Sequence, residues 1–581
     1  MLERLDQYNV VWESPSKDAS GSMPLGNGDI GLNVWVEESG DLLLLVAKSD
    51  AWDENCSNLK LGRIRLKLSP NPVLPGRPFR QTLNLAKAQI EILASAATTR
   101  IWVDANQPVI RIEIDSATPV AVEAKLEMWR TKPYEIKTQT GDIFKNLTGK
   151  DLYPTIVSPD HVLSRDNRVI WCHHNEHREQ DGYEINMRLQ GLGGMIGQMP
   201  HPLLGRTFGA AMEGKGFELA DSMTLKAAPR QQHELAIVAL TAHPVTVEEW
   251  KLTLNRQIAS SVDGRQEHQR WWEEFWSRSW LFLQSDSPEC FNITRAYVLQ
   301  RFMNACTGRG ASPIKHNGSL FTVGKPEDPD FRRWGGPGFW FMNQRLIYWP
   351  MLAAGDFDLM LPWLRMYRQQ LSLQQHRTQT YFRHAGAHFP ETVMFWGAEV
   401  SAHYGWIPFE KRARPEAECP YLTFYWSGGI ELTLILLSYY DHTGDQQFAR
   451  EVLLPIADSV TEFFDLHYLR DAEGKIRFEP AQALETWHEA INPLPEIAGL
   501  KYTLAHMLSA FTPSPGTPGE GRCGGDAAPR DPHPSPPPEY QGRGLPALRA
   551  RWERMLLELP PLPIGEKSGT PVILPAQHFD K

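Results

Sequence analysis

The sequence lacks any block of basic residues. Its 59 Lys and Arg and 69 Asp and Glu are spread along the chain and leave a formal charge of −10. Such a surface does not neutralise a phosphate backbone, so nucleic acid is not expected as a partner. No apolar run reaches the roughly eighteen residues that a bilayer span needs, so no membrane partner is expected either. Met1 leads into LERLDQYNVVW, without the apolar core of a signal peptide. As written the chain reads as cytoplasmic, although a start further upstream, or export as in relatives, would change that. Cysteine is sparse. Cys56, Cys172, Cys290, Cys306, Cys419 and Cys523 stand singly, with neither the density of a disulfide scaffold nor the C-x-x-C pairs of a zinc site, and read as free thiols. Cys172, His173, His174 and His177 lie close together, but they follow the strand-like RVIW, where alternation sends His173 and His174 to opposite faces. No metal and no organic cofactor is expected. Nothing in the sequence fixes an oligomeric state.

Aromatic residues are what the chain has in quantity. Twenty tryptophans supply both core mass and flat stacking surface, and most are expected in the core. They concentrate in WGGPGFWFMNQRLIYWPMLAAGDFD, from Trp334 to Asp358, where a Gly-Pro-Gly lead-in precedes an aromatic helix carrying Asn343 and Arg345. A sugar ring has apolar C–H faces and a rim of hydroxyls. Aromatic faces beside a few fixed polar groups suit it, and so do other small polar ligands; a buried helix satisfying its own polar groups has the same appearance.

Residues 1–245 read as strands, with NVVWES, IGLNVWVEE, DLLLLVAK, RIRLKLS and HELAIVALTA bounded by Gly, Pro, Asn and Asp. Strands without intervening helices predict an antiparallel β-sandwich. Within it Gly26, Asn27, Gly28 and Asp29 form a turn able to admit a ligand or another stretch of chain. Residues 246–282 change to a helical period, where Trp272, Phe275 and Trp276 predict a linker packed by aromatics. Residues 283–510 are helical patterns separated by loops, the appearance of an (α/α)6 toroid. The Pro/Gly-rich stretch 511–544 predicts disorder, and helical pattern resumes in 545–581. Together 283–510 and 545–581 hold fewer helices than the twelve of six hairpins, so the toroid is expected to be incomplete at its C-terminus. The fold class expected is therefore multidomain, β then α.

SMPLGNGDIGLNVWV with DLLLLVAKSDAWDE, and later MNQRLIYWPMLAAGD and FEPAQALETW, resemble glycoside hydrolase family 95, of the six-hairpin glycosidase superfamily. They resemble still more closely the relatives grouped as domain of unknown function 5703. The resemblance implies an inverting hydrolase of a terminal glycosidic bond, α-L-fucoside- or α-L-galactoside-like, with an oligosaccharide or glycoconjugate as substrate. It implies Glu485 as general acid and Asn343 as an orienter of the attacking water. The chain departs from the family pattern at Ala483, Leu484 and Thr486 around Glu485, and at Phe341, where the family has a second asparagine.

Inversion needs a protonated carboxyl on one side of the bond and a carboxylate on the other, about 6.5–9.5 Å apart. Leu484 and Trp487 beside Glu485 are expected to desolvate it and raise its pKa. The family's base lies later in sequence, and this chain is expected to end before it; Glu391, Glu399 and Glu489 are the alternative carboxylates. Substrate contacts are expected from Trp340, Arg345, His388, Glu391, Trp396, His403, Trp406 and Trp487. Two rival readings remain: a non-catalytic or decayed glycan-binding protein, and a lyase or phosphorylase on the same toroid. A lyase would look for a Tyr/His pair such as Tyr404 and His403.

Overall fold

A computed structural model of the chain describes residues 2–135, 156–325, 328–334, 338–511 and 544–579. The stretch expected to be disordered, 511–544, lies outside these residues except at Phe511 and Gly544, as do residues 335–337 of the Gly-Pro-Gly lead-in. The order is an N-terminal antiparallel sheet followed by a helical region, as the sequence predicts. Two compact units are present: Met1–Gln370 with Thr392–Ala413, and Leu371–Glu391 with Arg414–Lys581.

In the first unit fourteen strands share one sheet. They are β1 (Val10–Trp12), β2 (Met23–Gly26), β3 (Ile30–Val36), β4 (Leu42–Trp52), β5 (Asn58–Ser69), β6 (Phe79–Asn84), β7 (Gln89–Ala94), β8 (Ala97–Val103), β9 (Val109–Glu127), β12 (His161–Val162), β13 (Val169–His174), β14 (Thr207–Gly214), β15 (Phe217–Asp221) and β16 (Thr224–Ala242). A separate pair, β10 (Tyr134–Glu135) and β11 (Ile156–Val157), lies between β9 and β12 in the chain. β9 and β16, 19 residues each, are the long axis of the sheet. β9 bonds β8 through Ile110–Ser116 and β5 through Ala121–Glu127, changing partner at the exposed Thr118 and Pro119. One strand thus serves two runs of sheet, a sandwich-like arrangement built by a partner change rather than by a break in the chain.

The helices that follow are seated by their aromatics. After α1 (Gly182–Leu189) come α2 (Val247–Ser260) and α3 (Arg265–Ser277). α2 starts in a capping box, Glu249 N–H donating to Thr246 Oγ1 at 3.3 Å and Thr246 N–H to Glu249 Oε2 at 2.8 Å. Its Trp250, Leu254 and Ile258 pack with Ile170, Cys172, Ala211 and Val238 of the sheet. On α3, Trp272, Phe275 and Trp276 are buried, and Trp276 Nε1 donates to Leu85 O at 2.9 Å. α4 (Pro288–Thr307) ends against the β2–β3 turn. Gly28 N–H donates to Cys306 O at 2.9 Å and Arg309 N–H to Gly28 O at 3.1 Å. A Cβ on Gly26 would lie 2.3 Å from Cys306 O, and Gly28 has φ +98°. The glycines of this turn admit chain, not ligand.

His173 and His174 part as alternation predicts: His174 is half-buried beside Thr207, while His173 is buried in a chain of charges. His173 Nε2 lies 2.8 Å from Glu54 Oε2 and Nδ1 2.9 Å from Asp160 Oδ1. Asp160 also accepts from Arg130, whose Nη1 reaches Asp330 at 2.7 Å. Asp330 accepts in addition from Trp129 Nε1 at 2.6 Å and Lys60 N–H at 2.7 Å. Asp330 thus ties the loop between α4 and α5 to the sheet, beside Trp52 Nε1 donating to Ser312 Oγ at 3.0 Å and Lys60 Nζ to Leu320 O at 2.7 Å. The five cysteines among the described residues are free thiols.

β17 (Phe339–Trp340) leads into α5 (Phe341–Ala354), and α6 (Phe357–Phe382) runs on into the second unit. β18 (Thr392–Val393) pairs with β17, and α7 (Ser401–Tyr404) follows. The second unit holds α8 (Ser427–Thr443), α9 (Gln446–Phe448), a wide turn at Ala449–Leu453, α10 (Leu454–His467), α11 (Leu494–Ala510) and α12 (Leu545–Glu558). α8 packs on α10 and α11, and α12 on α10 and α11. β19 (Ala481–Ala483), β20 (Trp487–Pro493) and β23 (Ala576–Phe579) form a small sheet, and β21 (Ile564–Lys567) pairs with β22 (Thr570–Ile573).

Burial alone would lower the His173 imidazole, but its two carboxylate partners outweigh burial and raise it to about 9. A raised histidine stabilises the fold fully below its ordinary value near 6.5, and that contribution is lost as pH rises through about 9. His173→Leu leaves Glu54 and Asp160 without their shared partner, at a cost on the order of 3–5 kcal/mol. Thermal melts at pH 6 and pH 9.5 are expected to show a wild-type loss of stability across that window that the variant lacks.

Candidate functional site

The Trp340 indole is the centre of the best-formed cluster of expected site residues. Trp340 pairs with Thr392 across β17 and β18 and is the N-cap of α5. Gly338 makes this approach possible, because a Cβ there would lie 2.8 Å from Thr392 Cγ2. Around the buried Trp340 stand three rings, all edge to face: His316 at 5.3 Å, His403 at 6.1 Å and Trp334 at 6.4 Å. Trp334 is 47% exposed and offers the open surface of the group. Burial lowers His403 to about 4; burial, with Lys315 and Arg332 adding to it, lowers His316 to about 4. Both imidazoles are therefore neutral at neutral pH, able to donate at one nitrogen and accept at the other. His403 Nδ1 is buried and has no hydrogen-bond partner among the described residues.

Beneath the cluster lies Lys315, whose Nζ donates to Gly338 O and sits 4.2 Å from the centre of the Phe339 ring. Arg332 donates to Asn317 O at 3.0 Å and Ser319 O at 2.6 Å. Both side chains are buried, each 6% exposed.

The other expected residues of the first unit are dispersed. Asn343 is exposed on α5, and the buried amide of that turn is its neighbour Gln344, which donates to Ile314 O at 2.8 Å. Arg345 donates back to Met342 O. Trp396 packs edge-on against Tyr183 at 5.6 Å, with its Nε1 buried and unpartnered among the described residues. Trp406 is half-buried, and Glu399 is buried with its main chain bonded on both sides by Gln190. Tyr404 is fully buried, with the Arg412 guanidinium 4.1 Å over its ring.

In the second unit His388 is buried among Phe382, Phe463 and Trp426, with Nδ1 3.3 Å from Thr378 Oγ1; Glu391 is also buried. Burial, then Arg377 and two neighbouring histidines, hold His388 well below its ordinary value. Glu485 differs from expectation. The pairing of Ala483 with Trp487 puts residues 484–486 at the tip of a turn, where Leu484 is 46% exposed and Glu485 is exposed. Trp487 turns the other way, onto Phe579 at 5.7 Å. The desolvation expected from these two neighbours is absent, because a tight turn throws its middle residues to solvent whatever their polarity.

A carboxyl that sequence reading passed over is buried in the same unit. Glu496, in the first turn of α11, is 1% exposed, and its Oε2 has no hydrogen-bond partner among the described residues. Burial raises it to about 8, so it holds its proton at neutral pH. The only sequence signal was its position after Pro493-Leu494-Pro495, a helix start where an acid is ordinarily ionised and exposed. His316 was likewise legible only as a loop residue, and Trp334 only as the start of the aromatic segment.

A family model described as "Domain of unknown function (DUF5703)" matches residues 11–281, the sheet with α2 and α3. No curated protein matches the chain. Among solved structures, "Putative kojibiose phosphorylase from human microbiome" superposes with a TM-score of 0.52 at 11% identity, covering 86% of this chain and 65% of that one. This chain thus spans a little under two thirds of that protein. "Crystal structure of bacterial glucoamylase complexed with acarbose" is matched at 7% identity and a TM-score of 0.37, over 87% of this chain and 68% of that one. The first likeness shows the fold alone, a β domain followed by a helical region.

Because the folded state keeps the Glu496 proton to about pH 8 and an unfolded chain releases it near 4.5, stability falls as pH rises between those values. The loss amounts to about 1.4 kcal/mol for each pH unit of that window. Glu496→Gln keeps the shape and removes the titration. Denaturant melts at pH 5 and pH 9 are expected to bring the variant's two stabilities closer together than those of the wild type; an unchanged gap would show that Glu496 is ionised in the fold.

Proposed function

We propose that this protein is a glycoside-active enzyme that cleaves a terminal glycosidic bond by hydrolysis. The observation that carries the reading is the Trp340 cluster: an exposed indole beside a buried one, flanked by two neutral imidazoles. Stacking of a pyranose on Trp334, with hydroxyls meeting His316 and His403, uses each of these groups in the state the fold gives it. The six-hairpin type of fold is the scaffold on which such chemistry is found in the enzymes named above.

The family 95 resemblance, apart from the Trp340 cluster, assigns Glu485 the transfer of a proton to the leaving oxygen. Glu485 stands exposed at the tip of its turn, open to an incoming saccharide. Asn343, exposed at the start of α5, orients the attacking water, which makes inversion the expected course. Arg345, Trp396, Trp406, Trp487, His388 and Glu391 remain proposed substrate or support residues. Glycans of the α-L-fucoside and α-L-galactoside type follow from the family 95 resemblance, and kojibiose from the name of the structural neighbour. The lyase reading loses its base, since Tyr404 lies buried under Arg412. The exposure of Glu485 favours a second reading, a glycan-binding protein without turnover.

Hydrolysis of aryl α-L-fucosides, aryl α-L-galactosides and kojibiose by the full chain tests the proposal, with Trp334→Ala and Glu485→Gln beside it. Trp334→Ala is expected to raise KM with little effect on folding, and Glu485→Gln to lower kcat by about 10²–10⁴-fold. Equal turnover by Glu485→Gln sinks the acid assignment. Binding without turnover by the wild type establishes the second reading.

A further inference from the structure

Of the six buried cations of the first unit among the described residues, three are matched by carboxylates, and a fourth, Lys60, donates its Nζ to Leu320 O at 2.7 Å. Lys48 is held by Asp29 and Asp50, each at 2.7 Å, Arg130 by Asp160 and Asp330, and Arg301 by Asp356 at 2.8 Å. Lys315 and Arg332 are as deeply buried, yet among the described residues their side-chain hydrogen bonds go to main-chain carbonyls only: Gly338 O for Lys315, Asn317 O and Ser319 O for Arg332. Asp330, two residues before Arg332, is already engaged by Arg130, Trp129 and Lys60 N–H. Two like charges share one desolvated region without an anion between them, and the cost shows in both. Burial and then Arg332 drive Lys315 well below its ordinary value, and burial brings Arg332 down to about 10. Carbonyls are weak compensation, and they leave donors over. Two of the five guanidinium N–H groups and one of the three ammonium hydrogens are committed.

The same residues border the Trp340 cluster. His316 follows Lys315 in the chain and feels both cations, and Lys315 holds the Gly338 carbonyl next to β17. A small oxyanion delivered here meets a planar fork and a point charge in a dry setting, where charge-assisted bonds are strongest.

We propose that Lys315 and Arg332, flanked by His316 and Trp340, form an oxyanion subsite of the glycan site, taking a carboxylate on an acidic sugar or a phosphate group. This rests on reading the Trp340 cluster as a glycan site. The two sources share the chemistry of a delocalised oxyanion beside a sugar ring and differ in whether the anion is part of the sugar.

The test uses the full chain and calorimetric titration at constant ionic strength with sodium glucuronate, inorganic phosphate and methyl glucoside as the neutral counterpart. Wild type is expected to bind one or both anions. Arg332→Gln, losing a charge-assisted bond, is expected to bind them about 10–100-fold more weakly. Arg332→Lys, which keeps the charge, should retain most of the affinity. Glucuronate binding without phosphate binding identifies the acidic sugar as source, and the converse identifies phosphate. Should Arg332→Gln fail to fold, competition in the wild type decides: phosphate or glucuronate must displace a fluorescent aryl glucuronide, whereas matched chloride must not. No anion binding by the wild type, or unchanged binding by a folded Arg332→Gln, overturns the subsite. Anion binding with no sugar binding of any kind leaves the subsite and removes the glycan reading. Neutral-sugar binding alone does the reverse.

Discussion

The carboxylate of Asp330 is the tie on which the first unit's candidate site depends. Arg130, Trp129 and the Lys60 main chain all donate to it, and through Arg130 it joins Asp160, His173 and Glu54 in one buried chain of alternating charge. Such a chain is costly to bury and stable only when complete, since each member is the counterion of the next. Its effect is positional. Together with Trp52 to Ser312, Lys60 Nζ to Leu320 O and Ile314 N–H to Tyr348, it holds a long loop with little secondary structure against sheet and helix.

That placement creates the tension from which the functional reading grows. The ion network engages the Asp330 carboxylate of the loop with the sheet, while Lys315 and Arg332 of the same loop meet main-chain carbonyls. These cations, together with burial, keep His316 neutral, so its imidazole both donates and accepts beside Trp340. Stability and recognition are here consequences of one distribution of charge.

The sheet was plain in the sequence because alternation is a local signal: β7 reads polar, apolar, polar, apolar from Gln89 to Ile92, and so it is half-buried, buried, half-buried, buried. The aromatic packing of α3 was plain for the same reason. What the sequence hid is set by tertiary neighbours. Asn343 and Gln344 are chemically alike and adjacent, and only the direction of α5 decides that Gln344 is inside. Leu484 and Trp487 looked like a desolvating pair around Glu485, but the register of β19 on β20 turns one to solvent and the other onto Phe579. Glu496 looked like an ordinary helix-start acid; its burial comes from residues far along the chain. In the Trp340 cluster, Trp340, His403 and the segment beginning at Trp334 stand out in the sequence, while the path of the loop brings His316 to them.

The β2–β3 glycine turn bears on what counts as a portable module. Profiles of related sequences recognise residues 11–281 as a piece, yet Gly26 and Gly28 are shaped around Cys306 to Arg309, and the Arg309 guanidinium covers the Trp271 ring at 3.7 Å. A fragment ending at 281 would carry a groove and an indole face with nothing on them, an unfinished surface prone to self-association. The segment that can be inherited, transplanted or expressed by itself is therefore longer than the segment that sequence similarity delimits. It includes the first helix beyond that limit, and any dissection of this protein has to cut after it.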